Sequence, residues 1–187
     1  VGLGGYVLFA STILAGVHPL VAVPVAGVIA AVVALPVAGL MFRLRGHYFA
    51  IGTWVVAEVF RLISSQISAL GGGSGISLPA GIVTAMASSR QMREFLIYWV
   101  ALALVVIVLA AIVLLLRSRY GLALTAIRDN ELAARSNGVD VTRTKLVVYV
   151  LTAFGTAMIG ALIFLLKLRI SPDTAFSVND WPAFVIF

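Results

Sequence analysis

Two acidic residues stand out by where they fall. Glu58 lies inside the apolar run 48–63 (YFAIGTWVVAEVFRLI), and Glu131 lies in the charged stretch 119–138 (RYGLALTAIRDNELAARSNG). An ionisable group within a membrane run is costly and is a functional candidate by default. Arg61 follows Glu58 by three residues and shares its helix face. The pair can line a polar path, or form an ion pair near the outer helix end with Arg61 snorkelling to the interface. Glycines at 71, 72, 73 and 75 form a second candidate. They exclude stable α-helix, since each costs about 1 kcal/mol there. They read either as a broken helix or re-entrant loop with Gly72 and Gly73 backbone facing a solute, or as an external loop, which glycine content alone favours.

Other chemistry is missing from the pattern. His18 and His47 stand alone at run ends, with no partner at metal-ligand spacing, so no metal site is expected. There is no cysteine, which removes disulfides, thiolate ligands and thiol catalysis. No phosphate-binding P-loop is present, so any ATP is bound by another subunit and no cofactor is expected.

These residues must be positioned by membrane helices. The 187-residue chain is 62% hydrophobic and 11% charged, against about 45–50% apolar in ordinary soluble domains. Runs 20–42, 48–63, 95–116 and 146–166 read as spans, and about 20 apolar residues suffice to cross a bilayer. Run 48–63 is short unless it extends toward Leu70. Residues 1–17 read as part of a further helix, broken at His18-Pro19. The fold class is therefore all-α, a bundle of about five spans in one domain over 1–187, with a long polar stretch over 64–93. The missing initiator Met, and a new apolar run from Trp181 to Phe187, read as ends within a longer chain.

The net charge is +6. Basic residues flanking spans account for it, so nucleic acid is not expected. With the spans alternating, the 119–138 side holds Arg43, Arg45, Arg117, Arg119, Arg128, Arg135, Arg143 and Lys145. The other side holds Arg61, Arg90, Arg93, Lys167 and Arg169. Eight against five places the stretch in the cytoplasm.

Residues 119–138 read as one amphipathic helix with Leu124, Ile127 and Ala134 near one face. Arg128–Glu131 and Glu131–Arg135 sit at pairing distance, and Asn137-Gly138 supplies a left-handed stop. From pattern alone, a helix resting on the membrane and a helix docking a partner stand equal. In the last span, Thr152, Thr156 and Gly160, with Ala153, Ala157 and Ala161 beside them, predict a face for close helix packing.

Several motifs in order resemble the permeases of branched-chain amino-acid ABC transporters of the LivM type. RYGLALTAIRDNELAARSNGVD with TRTKL resembles their cytoplasmic loop, and it is the most specific match. RLRGHYFAI at 43–51, GLGGY at 2–6, LGGGSG at 70–75 and RISPD at 169–173 resemble further family motifs. The resemblance implies an inner-membrane permease subunit of a bacterium, surrounded by lipid. Its partners would be a second, LivH-like permease, two cytoplasmic ABC ATPases and a periplasmic solute-binding protein. Segment 117–145 would be the ATPase-coupling segment, with Gly121, Ala126, Arg128, Asp129, Asn130, Glu131, Ala134 and Gly138 matching the motif. The rivals are a urea or short-amide importer of the same class, a proton-linked secondary transporter using Glu58, and a scaffold that moves no solute.

Overall fold

The computed structural model describes residues 1–44, 47–86 and 89–176. Arg45, expected at an aqueous boundary, and the apolar run from Trp181 lie outside them. The described residues form α1 (Gly2–Leu14), α2 (Pro19–Met41), α3 (His47–Gln66), β1 (Ile76–Ser77), α4 (Ala80–Met86), α5 (Arg90–Arg117), α6 (Arg119–Asp129), α7 (Glu131–Ser136), α8 (Val141–Lys167), β2 (Arg169–Ile170) and α9 (Pro172–Phe176). Of these, α2, α3, α5 and α8 are long and apolar enough to cross a membrane, and α1 is a shorter apolar helix. The protein is an all-α membrane bundle with one two-residue ladder.

Helices α2, α5 and α8 each start at a recognisable signal. His18 caps α2, its ring Nδ1 accepting from the Leu20 N–H at 3.4 Å, and Pro19 takes the first turn, where no N–H is needed. Ser89 and Asp140 cap α5 and α8 through their side chains. Those caps lie several residues before the uncharged runs begin, so both helices are longer than the runs at 95–116 and 146–166 suggest. Helix α3 runs to Gln66 and reaches 20 residues.

The centre is α1, α2 and α8. Lipid is as apolar as leucine, so helices associate here by close packing rather than by escape from water. Helix α2 supplies a line of buried alanines, Ala22, Ala26, Ala30, Ala34 and Ala38, one per turn. On α8, Ala157, Gly160 and Ala161 are buried. Gly4 of α1 packs on the Ala157 backbone and Gly160 on Val1. The small-residue face expected in the last span is therefore a packing face over Ala157–Ala161. Its earlier members, Thr152, Ala153 and Thr156, line a cavity instead.

At the end away from α6 and α7, the polar stretch is ordered into a cap. Two 3-10 turns, Ser68–Leu70 and Gly72–Ser74, lead to β1, which pairs antiparallel with β2 through Ile76–Ile170 and Ser77–Arg169. Gly75 joins turn to strand at φ +76°, where a side chain would also meet the Ile170 carbonyl and Ser171. Leu78 is buried, and Ile82, Val83 and Met86 of α4 pack on the core. The expected loop over 64–93 is thus largely built into the bundle.

Candidate functional site

Helices α6 and α7 form the charged island at the end where α2 and α5 finish and α8 begins. The chain turns sharply out of α5 at Ser118, whose hydroxyl donates to the Leu115 carbonyl and whose oxygen accepts from the Tyr120 N–H. Gly121 then passes so close to the Leu116 backbone that a Cβ has no room. The glycine fixes the angle at which the island leaves the membrane helix.

The expectation of one helix over 119–138 is corrected. Asn130 is extended (φ −159°, ψ 111°) and splits the island. Its N–H ends α6 on the Ala126 carbonyl at 3.0 Å, and its Oδ1 starts α7 by accepting from Leu132 and Ala133 at 2.9 and 3.1 Å. Asparagine competes for backbone hydrogen bonds and so favours a cap over a helix interior. The break also overturns the Arg128–Glu131 pair. Arg128 instead meets Asp129 at 3.2 Å, both well exposed.

Glu131 keeps its expected partner Arg135 at 3.0 Å and gains Lys145 of α8 at 2.7 Å. The Lys145 ammonium, ahead of the Arg135 guanidinium, holds its carboxyl below the ordinary value, against a smaller opposing effect of desolvation. Ala134 is buried under this tie. Gly138 ends α7 at φ +82°, and the Val139 N–H closes back on the Ala134 carbonyl at 3.0 Å.

Beside α7 lies a groove of about 760 Å³ walled by Phe42, Leu44 and Phe49 on one side and Leu132, Arg135 and Lys145 on the other. Leu122 and Leu132 are 77% and 78% exposed. The island thus presents apolar knobs among charges, held at a fixed angle, which suits recognition by a protein surface.

The other candidates gather at the opposite end. Arg61 donates from Nε and Nη2 to Glu58 (2.9 and 2.6 Å) and from Nη1 to Asp173 of α9 (2.9 Å). Gly72 sits against Ser65 of α3, and Gly73 lines a cavity of about 400 Å³ with Lys167, Arg169 and Asp173. A second cavity, about 280 Å³ and mostly apolar, lies deeper among α1, α2, α3 and α8, walled by Phe60, Thr152 and Thr156 among others.

Residues 1–187 match the profile of the family described as the permease component of branched-chain amino acid transport systems. The chain belongs to this permease family. It is similar to the high-affinity branched-chain amino acid transport system permease proteins LivM of Salmonella typhimurium and Escherichia coli K12. Each is 32% identical over 173 residues, covering 81% of this chain and 41% of the relative. The chain thus spans about two fifths of the length of those relatives. No solved structure matches it.

Within this permease the eight island positions named from the motif come together in one helix–break–helix unit. Sequence reasoning missed Lys145, Asp173 and Phe176. Lys145 and Asp173 lay inside quoted motifs (TRTKL and RISPD), but their partners are 14 and 112 residues away.

Proposed function

We propose that this chain is a membrane-spanning portion of a permease subunit in an ATP-driven importer of branched-chain or related amino acids, in a bacterial inner membrane. It is a transport subunit with no ATPase site of its own and no cofactor. A second permease, two cytoplasmic ABC ATPases and a solute-binding protein complete the assembly. The family match over 1–187 carries the reading.

Coupling runs through the island. An ATPase surface grips the exposed α6–α7 unit, with Gly121, Ala126, Arg128, Asp129, Asn130, Glu131, Ala134 and Gly138 shaping or presenting it. The push then enters the bundle through the tight α5–α6 turn, the short 137–140 link into α8 and the Glu131–Lys145 tie to α8. Helix α8 packs on α1 and α2 and walls the deep cavity, so its displacement changes access to that cavity. The proton-linked alternative gains nothing from Glu58, since both of its oxygens accept from Arg61.

Co-purification tests this. The full-length protein, extracted gently from its host, is expected to bring a P-loop ATPase and a second permease in fixed ratio. Changing Asp129 and Glu131 together to Arg is expected to remove the ATPase and leave the second permease. A homogeneous protein without an ATPase in either preparation would refute the importer reading.

A further inference from the structure

The deep cavity and the shallow cavity at the outer end each take a wall from the contact between α3 and α9, and the geometry points to that contact as the outer gate of the solute path. The inference rests on the permease reading. Phe60 walls the deep, apolar cavity, and Asp173 walls the shallow, charged one. Arg61, the next residue after Phe60, bonds Asp173 at 2.9 Å. Phe176, one turn beyond Asp173, lies between two aromatic rings, stacked on Tyr6 of α1 at 5.9 Å and on Phe60 at 6.5 Å. One ion pair and one stack of three rings thus join the Phe60 wall of one cavity to the Asp173 wall of the other.

The rest of the strap is anchored elsewhere. β2 is paired to β1, and Pro172 and Ala175 are buried, with Ala175 against Gly2 of α1. Opening therefore moves α3 away from a fixed α9. The latch suits that use. Arg61 keeps Glu58 when Asp173 is released, so no guanidinium is left unpaired. The Asp173 side is well exposed and the pair is of small strength. An amino acid crossing here meets both charge signs first, at Lys167, Arg169 and Asp173, and apolar walls second.

The test uses the full-length subunit assembled with its partners, with cysteine at Arg61 and Asp173 as the reactive pair (the described chain has none of its own). Radiolabelled leucine uptake driven by ATP is measured before and after a short, reducible thiol cross-linker. Bridging is expected to reduce uptake to the background without permease, and reduction to restore it. Undiminished uptake by the bridged protein would overturn the gate alone. Absence of uptake by the wild-type assembly would overturn the permease reading.

A second measurement avoids the bridge. A cysteine replacing Thr156 in the deep cavity is labelled from outside with an impermeant thiol reagent. Labelling is expected to be about threefold faster when Asp173→Asn is added, the scale of change from losing one ion pair of small strength. Equal rates would overturn the gate.

Discussion

The two ends of this bundle are built on different principles. The outer end is fastened by connections between residues far apart in sequence: β1 to β2, Arg61 to Asp173, and Phe176 between Tyr6 and Phe60. The inner end is fastened mostly to itself. Its Arg128–Asp129 and Glu131–Arg135 pairs are local, and among its ion pairs one reaches across, from Glu131 to Lys145. The outer end is a closure assembled from several helices, whereas the inner end is a projection carried by its two chain connections and one tie. The proposed function would use that asymmetry, sealing the side where solute arrives and offering a handle where force is applied.

The comparison breaks most sharply at the glycines. Gly75→Val places a branched side chain at positive φ and against the strap, costs of about 1–3 kcal/mol each for conformation and overpacking. It is expected to collapse the monodisperse peak of the solubilised protein in heated size-exclusion runs. Gly73→Val, two residues earlier and in open space, should leave that peak in place. Comparable losses from both would mean that the cap is an ordinary loop.

Gly121→Val acts at the inner end. A side chain against the Leu116 backbone must swing the island, at a cost of about 1–3 kcal/mol confined to the α5–α6 turn. Thermal stability of the bundle should change little, while trypsin should cut faster after Arg128 and Arg135. Global unfolding would mean that the island is part of the core.

The smallest effect concerns the tie. Lys145→Ala removes a half-exposed pair worth about 0.2–1 kcal/mol, loosening α7 without touching the outer cap. Acid should do the same. Glu131 titrates below its ordinary 4.5 in the folded protein. The stabilisation is therefore complete above 4.5 and is lost as pH falls through the lowered value. Distances between spin labels on α7 and α8 should broaden in that window, and Lys145→Ala should flatten the response.

The spans over 20–42, 95–116 and 146–166 were legible because charge is missing from them, and composition reports that directly. Their ends were partly legible: Ser89 and Asp140 are ordinary caps, but a search for uncharged runs starts after them. The island's break had a signal in Asn130-Glu131, a cap followed by an acid, which the amphipathic pattern on either side obscured. Ala157, Gly160 and Ala161 declared the packing face by spacing alone. Arg61–Asp173 declared nothing, because a partner 112 residues away becomes adjacent only once α1, α3 and α8 have met.

That separation has a consequence for how the chain is made. Arg61 leaves the ribosome and enters the bilayer long before Asp173 exists. Its companion at that moment is Glu58, one turn back on the same helix, so α3 can insert carrying a neutralised pair rather than a bare cation. Glu58 thus stands beside Arg61 from the moment α3 is made, and Asp173 takes its place on the other arm of the guanidinium only once residues 169–176 have been synthesised.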